Sequence, residues 1–570
     1  MTGTKLVTRT RSQRPESILI IGGGATGLAT LRNLVEQVAS DSSGTYPLFS
    51  PLLVERRDDV GGVWYWSDDT YSLERKVGAD ATQGLSPLYD PKGHPHWPSP
   101  AYVNLRGNVL PEFLEFSGKK MKPPANGETF PSLQETHTYL REFAHPYRQH
   151  IRCAVEVLRV QEVAGQEGWQ VTLKDWATGV QSAGSFTPRV ESKVFDRVVV
   201  AAGWYDTPYY PDVPGIEAAK KAGHVHHCKH YRDSSPYHSK KVVVVGNNNS
   251  ANEVAAHLAP LNSTCHPVYR SSKSAPVDEC PSLPDERIKD VGMITNYTLV
   301  HTSAGEKGTK LQLTLADASV IRDVDYVILG TGYRQKYPWL HVLTDAVRKS
   351  GGAETEPLTP ERFKGTRVPF MYNHALFSKS RNLSLAFVGL VICTMPFSFN
   401  DLISAWITAV WAGKVTSIPT SIPARLQNEQ ERLHWLYQQK LKTARPGQKI
   451  DPQDPLTYTG FHLLGGSLKE GPPSELHFAQ QLYDELAKVD PERVNKWDCK
   501  WDQAREERQT WMYRRKAQWL EENRDRIRHD PFDLLGSNRE RYGHLVDDLV
   551  HPDWRQKIIN ALYLGADIVK

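Results

Sequence analysis

The chain is predicted to be an α/β protein with two parallel sheets, each opening on a glycine-rich strand-to-helix turn, a β-meander between them and a helical C-terminal extension. Three observations carry this. The apolar run Ser17-Ile-Leu-Ile-Ile21 enters Gly22-Gly-Gly24-Ala-Thr-Gly27 and a helix-like segment from Leu28 to Val38. More than 200 residues later, Lys241-Val-Val-Val-Val245 enters Gly246-Asn-Asn-Asn-Ser-Ala251 and a helical Asn252 to Leu258. Two further buried-strand patterns, Val198-Val-Val-Ala-Ala-Gly203 and Val327-Ile-Leu-Gly-Thr-Gly332, end in small residues, as required where a chain passes between domains close to a ligand.

The first turn has the G-x-G-x-x-G spacing of a dinucleotide-binding (Rossmann-like) βα unit. Gly22 permits the tight turn, Gly24 lets the backbone approach a pyrophosphate, and Gly27 lets helix pack on strand. The next strand, Pro51 to Val54, ends in Glu55, where an acid accepts the hydroxyls of an adenosine ribose. Glu55 lies 28 positions beyond Gly27, more than the usual ~20, and the turn-rich segment Ser40 to Pro47 is expected to absorb the excess as a loop. Alternating apolar residues from Val155 to Gly203, broken at Gly168-Trp169, predict the meander. Val157, at its start, is counted with the cofactor-binding candidates.

In the second turn Asn248 stands where the middle glycine would be, and the left-handed tolerance of asparagine is expected to help it there. Ser250 and Ala251 open a helix whose N-terminus suits an anion. The strand from His266 to Tyr269 is followed by Arg270-Ser-Ser-Lys273 in place of an acid. Arginine accommodates a 2′-phosphate, so Arg270 and Ser271 point to NADPH over NADH, a solvated basic turn being the alternative. Thr331 and Gly332 complete the nucleotide candidates. Two such turns imply two redox cofactors meeting.

At 570 residues the chain exceeds the roughly 250 to 300 that one core supports. The boundaries read as 15–215 for the first part of one dinucleotide-binding domain, 216–330 for the second such domain, 331–490 for the second part of the first, and 491–570 for the extension. After about residue 415, Glu429 to Thr443, Glu475 to Val489 and Gln503 to Arg528 are charged and helical in period. Basic and acidic residues number 69 and 65, too balanced for nucleic acid as the main partner. The six cysteines have no C-x-x-C pair, which fits a reducing, cytoplasmic compartment and opposes disulfide exchange. Lys5, Arg9, Arg11 and Arg14 precede an apolar stretch of only Ile18 to Ile21, far short of a signal-peptide core, which reads as a frayed tail, a transit peptide being the alternative. Leu383 to Ala412, interrupted by Pro396, Asn400 and Asp401, reads as a buried strand, a turn and a core helix, since a membrane span needs ~20 apolar residues. No anchor is read in Ala561 to Lys570.

Between the two turns lies Lys221-Ala-Gly223-His-Val-His-His227-Cys-Lys-His-Tyr231-Arg232. Its four histidines and Cys228 fit no zinc spacing, so no metal is expected. The segment resembles the fingerprint F-x-G-x-x-x-H-x-x-x-[YF]-[KR] of the class B flavin-dependent monooxygenases: Gly223, His227, Tyr231 and Arg232 match, and Lys221 replaces the leading Phe. Gly61-Gly62-Val63-Trp64 resembles the family's G-G-x-W element, which approaches the flavin. Gly330-Thr-Gly332-Tyr333 resembles its A-T-G-Y turn, and Leu385 to Leu390 with Asn400 to Trp406 its late strand and helix. The similarity covers about residues 15 to 490.

The resemblance implies FAD and NADPH, hydride passing from one to the other, and O2 adding at the flavin C4a carbon before one oxygen goes to a small molecule. The Tyr231-Arg232 ending resembles the branch that oxygenates nitrogen and sulfur; the alternatives are a Baeyer–Villiger enzyme and an NADPH oxidase or flavin reductase releasing hydrogen peroxide. Asn108 falls where this branch has an asparagine near the reactive flavin edge, an ordinary loop asparagine being the other reading. His227 and Tyr231 are expected to shape the junction between domains.

Overall fold

The computed structural model describes residues 14–525 apart from 43, 68–69, 71–72, 74–86, 103–104, 166–167, 183–184, 274–279, 302–307, 381, 445–448, 465–473 and 498–500. Lys5, Arg9, Arg11, Cys499 and everything beyond 525, including the end of the predicted last helix and Ala561 to Lys570, lie outside the described residues.

The chain opens with β1 (Glu16–Ile21), α1 (Ala25–Val35) and β2 (Phe49–Val54). Between α1 and β2 the expected loop is a hairpin, Val38–Asp41 paired with Gly44–Pro47. Alternate residues Val38, Ser40 and Thr45, Pro47 leave neither face apolar enough to announce a strand. β2 pairs parallel with β1, Ile18 opposite Pro51, and with the short β3 (Ile151–Arg152) on its other side. Then come β4 (Val155–Glu162), β5 (Trp169–Ser182) and β6 (Ser185–Phe195), an antiparallel meander. β7 (Arg197–Val200) returns to β1, Ile18 opposite Arg197.

The second parallel sheet holds β8 (Val225–His227), β9 (Val242–Val245), then helix α2 (Asn249–Leu258), β10 (Val268–Ser271), β11 (Ile288–Val291) and β12 (Tyr326–Leu329), in the order β8-β12-β9-β10-β11. β10 runs to Ser271, so Arg270 lies within the strand, between Val244 of β9 and Asp290 of β11. The chain then rejoins the first sheet through β13 (Leu385–Phe387), parallel to β7, and continues as α3 (Pro396–Trp411), α4 (Ile422–Lys442), α5 (Glu475–Val489) and α6 (Gln503–Glu522). The architecture is two Rossmann-like units with a meander and a helical C-terminal region.

Both faces of each parallel sheet are covered, which is why their strands read as continuous apolar runs. In β1, Ile18 and Ile20 face α1 and α3, while Leu19 and Ile21 face the meander around Trp169. In β9, Val242 and Val244 meet α2 and Tyr231, and Val243 meets the three-stranded sheet carrying Leu311 and Leu313. Among the described residues no helix is long and apolar enough to cross a membrane.

Candidate functional site

The first glycine-rich turn borders a cavity of about 500 Å³ at the carboxyl ends of β1, β2 and β7, the place where open α/β sheets bind ligands. Gly22 takes a φ of +112°, and a Cβ there would stand 2.6 Å from the Ala201 carbonyl oxygen. At Gly27 a Cβ would stand 1.9 Å from the Gly22 carbonyl oxygen, so only glycine lets α1 seat on β1. Gly24 caps α1, and Gly62 approaches it backbone to backbone: a Cβ on Gly62 would come within 2.8 Å of Gly24 Cα. Trp64 and Val157 also line the cavity. Glu55, 4% exposed, accepts from the Gly23 N–H at 2.7 Å and the Arg57 N–H at 3.0 Å, so its carboxylate is aimed by the turn itself.

The start of α3 also borders the cavity, where Pro396, Phe397 and Asn400 line it. The Asn400 Nδ2 donates to the Pro396 carbonyl at 2.7 Å, and its Oδ1 is buried with no hydrogen-bond partner. A carboxylate holds the loop before this helix. Glu475, fully buried, accepts from the Thr394 N–H and hydroxyl, both at 2.8 Å, and from the Met395 N–H at 3.3 Å. Burial pushes its carboxyl above the ordinary range against those donors. At the rim, Arg56 forks onto Asp206, and Lys229 Nζ donates to the Asp206 carbonyl at 2.5 Å. Burial raises the Asp206 carboxyl, but Arg56 and Lys229 outweigh it and hold it well below the usual carboxylate range.

Sequence reading missed Glu475, Asp206 and the buried pair Arg32–Asp401, because each meets its partner only through tertiary folding. The one local trace is Ser474-Glu475 at a helix start: Ser474 accepts from the His477 N–H, and Glu475 is free to point elsewhere.

The histidine of the fingerprint sits at the crossing between the two units. His227 Nε2 donates to the Gly332 carbonyl at 3.0 Å, and its Nδ1 accepts from the Lys229 N–H at 3.1 Å. Burial lowers its pKa to about 4, so the ring is neutral near pH 7. Gly332 also accepts from the Tyr209 N–H at 2.9 Å, and the Thr331 hydroxyl donates to the Tyr209 carbonyl at 2.5 Å. Gly223, at φ +80°, follows the last turn of helix Ile216–Lys221 as a left-handed stop. Tyr231, 2% exposed, shares a 3.2 Å hydrogen bond with His257 of α2.

The second turn lies outside the cavity wall. Gly246 repeats the geometry of Gly22, with φ +126° and a Cβ that would stand 2.6 Å from the Gly330 carbonyl oxygen. Asn248 is extended, φ −93°, as Gly24 is at −77°. The expected left-handed backbone is therefore absent, and Asn248 departs from Gly24 only in its exposed side chain. Ser250 is exposed in the first turn of α2, and Ala251 packs against Gly330. Arg270 is not an open cation at a strand end. It is 3% exposed, its fork is on Asp290 at 2.7 and 2.9 Å, and Nη1 donates to Asn252 at 3.1 Å. Ser271 donates to the Gly292 carbonyl at 2.8 Å.

Asn108 is not among the residues lining the cavity. Its Oδ1 is buried without a partner, in a fold where such groups are usually paired. Among the described residues no group of histidine, cysteine and carboxylate side chains could hold a metal.

A family model described as pyridine nucleotide-disulphide oxidoreductase matches residues 112–373. The chain is 26% identical over 411 residues to flavin-containing monooxygenase FMO GS-OX4 of Arabidopsis thaliana, covering 70% of this chain and 74% of that one. It is 24% identical over 335 residues to flavin-containing monooxygenase ustF2 of Aspergillus flavus, covering 58% and 65%. Among solved structures, S-allyl-L-cysteine S-oxygenase from Allium sativum aligns at TM-score 0.59 and 22% identity over 93% of this chain and 99% of that one. Tmm from Pelagibacter sp. aligns at TM-score 0.57 and 17% identity, over 88% and 90%. Both structures share the fold.

Proposed function

The chain belongs to the class B flavin-dependent monooxygenases, and within that family we propose that it uses FAD and NADPH to transfer one oxygen atom from O2 to a soft sulfur or nitrogen centre of a small molecule. The observation that carries this reading is the pairing of a glycine-lined cavity with a second, separate glycine-rich turn. A flavin and a pyridine nucleotide are the cofactors of such enzymes. FAD fits the cavity because Gly24 and Gly62 leave room where side chains would fill it, Glu55 is aimed by Gly23, and Asn400 Oδ1 is an acceptor still lacking a donor. When bound, the flavin accepts hydride from the nucleotide and activates O2.

The protein's residues bind, orient and exclude water. Gly22, Gly24, Gly27 and the start of α1 take the pyrophosphate, Glu55 the ribose, Val157 the adenine side, and Gly62, Trp64 and the start of α3 the ring. The second turn, with Gly246, Asn248, Ser250 and Ala251, takes the NADPH pyrophosphate, and Thr331 and Gly332 form the crossing beside it. Arg270 takes the 2′-phosphate by exchange: Asp290 is 59% exposed, so its carboxylate returns to water at low cost while the guanidinium gains a dianion. His227 keeps its proton on Nε2 toward Gly332 and therefore acts as a pin and not a base. Asn108 stands outside the cavity wall, so its role in this reading, a preorganised Nδ2 donor of the oxyanion-hole kind, requires its loop to reach the flavin edge once both cofactors are docked.

Sulfur or nitrogen is favoured over a ketone by the Tyr231-Arg232 ending and by the S-oxygenase named among the structural neighbours. Arg232 braces this region by donating to the carbonyls of Lys229, Tyr231 and Ala101 at 2.9, 3.0 and 3.3 Å. The test is turnover of a panel of thioethers, amines and ketones with peroxide measured alongside. Sulfoxides or N-oxides are expected; esters as the main product, or peroxide alone, would overturn the reading.

A further inference from the structure

Helix α6 crosses both nucleotide units. Toward the flavin half, Arg505 donates to the Ser398 hydroxyl at 2.7 Å, Gln509 to Thr394, and the Leu110 N–H to Met512 Sδ at 3.4 Å. Toward the other half, Arg524, just beyond the helix, pairs with Asp285 at 3.5 Å. Lys516 touches both. Its ammonium donates to the Gly107 carbonyl at 3.3 Å and stands 3.5 Å from Glu253. Both side chains are nearly inaccessible, 4% and 8% exposed. The Phe130 and Trp519 rings stand 5.1 and 4.6 Å from the ammonium.

Gly107 is the residue before Asn108, and Glu253 lies in the second turn of α2, the helix that begins at the nucleotide-binding turn. A buried ammonium is costly to leave without partners, so Lys516 stays with the groups that face it, among them the Gly107 carbonyl at 3.3 Å and Glu253 at 3.5 Å. Displacing α2 therefore shifts the ammonium, and the ammonium carries the peptide before Asn108. We propose that Lys516 is a positioning residue, setting the Asn108 loop according to the docking of the nucleotide half, so that the C-terminal helix couples nucleotide occupancy to oxygen transfer. This rests on the reading of Asn108 given above. It gives the extension a role in the reaction that the cofactor sites alone do not.

The experiment measures hydrogen peroxide released per NADPH in the full-length, FAD-loaded protein and in its Lys516→Met, Lys516→Arg, Glu253→Gln, Asn108→Ala and Asn108→Ala/Lys516→Met variants. Lys516→Met is expected to raise the peroxide fraction several-fold, Lys516→Arg to restore coupling, and the double variant to leak no more than Asn108→Ala alone, because both changes remove one function. If Lys516→Met fails to fold, Glu253→Gln carries the same expectation with the ammonium retained. Wild-type coupling in both Lys516→Met and Glu253→Gln, or a leak that adds to that of Asn108→Ala, overturns the positioning role. Coupling unchanged in Asn108→Ala overturns the Asn108 reading and the inference with it.

Discussion

Arg32 in the last turn of α1 and Asp401 in the second turn of α3, 369 positions apart, form an ion pair inside the core, so the two helices whose first residues both line the cavity are fixed to one another. Asp401 also accepts from the Ser117 N–H at 2.9 Å and its hydroxyl at 2.7 Å. Burial raises the Asp401 carboxyl, yet Arg32, Arg493 and Ser117 together hold it below the usual carboxylate range. Asp401→Asn leaves Arg32 buried without its main counter-charge, a change that costs about 3 to 5 kcal/mol. Thermal unfolding should fall accordingly, with flavin lost in parallel; an unchanged midpoint would remove this pair from the account.

The same pair sets a sign for pH. Because the folded carboxyl lies below its unfolded value of about 3.9, its stabilisation is complete above that pH and disappears as pH falls through the folded value. The wild-type protein should lose part of its stability in that acid window, and Asp401→Asn should lose less there. Parallel acid profiles for the two proteins would contradict this.

Gly62→Ala places a Cβ 2.8 Å from Gly24 Cα at a φ of +56°. Strain of ~1 to 3 kcal/mol falls on the flavin cradle, so the variant should purify with little flavin while remaining folded by circular dichroism. Gly24→Val should do the same from the facing side. Stoichiometric flavin in both would move the cofactor elsewhere.

Arg270 and Asp290 predict nucleotide choice in opposite directions. Loss of a charge-assisted hydrogen bond costs roughly 1.5 to 3 kcal/mol. Arg270→Ala should therefore weaken NADPH about tenfold or more and spare NADH, while Asp290→Asn, freeing the fork, should tighten NADPH alone. Binding titration decides it: equal loss of both nucleotides in Arg270→Ala would make Arg270 a brace for Asn252 and the turn.

Much of the glycine-rich edge of the cavity is legible because its requirements are local: Gly22, Gly24, Gly27 and Glu55 answer to backbone angle and close approach within one βαβ unit. From the sequence Arg270 falls after its strand because the apolar run stops at Tyr269, whereas the ladder with β9 and β11 carries the backbone to Ser271. The hairpin at Val38–Asp41 hid for the converse reason, its apolar and polar residues mixing on both faces and its strands pairing only with each other. In α6 the buried residues are Arg505, Gln509, Met512, Lys516, Trp519 and Leu520. Their spacing is helical, but three of the six are polar or charged, and periodicity of apolar residues does not reveal them.

Asn108→Ala removes one preorganised donor, worth about 2.7 to 4 kcal/mol at such sites. Anaerobic reduction by NADPH should stay near normal while peroxide rises at the expense of product. Slowed reduction instead would make Asn108 a residue that positions the flavin or the nucleotide.

The most direct test of the central claim is turnover of a thioether under ¹⁸O2 with NADPH, read by mass spectrometry of the product. The account predicts a sulfoxide carrying a single labelled oxygen, formed in step with NADPH consumed. NADPH consumption with labelled hydrogen peroxide and no labelled sulfoxide, or with no sulfoxide at all, would contradict it.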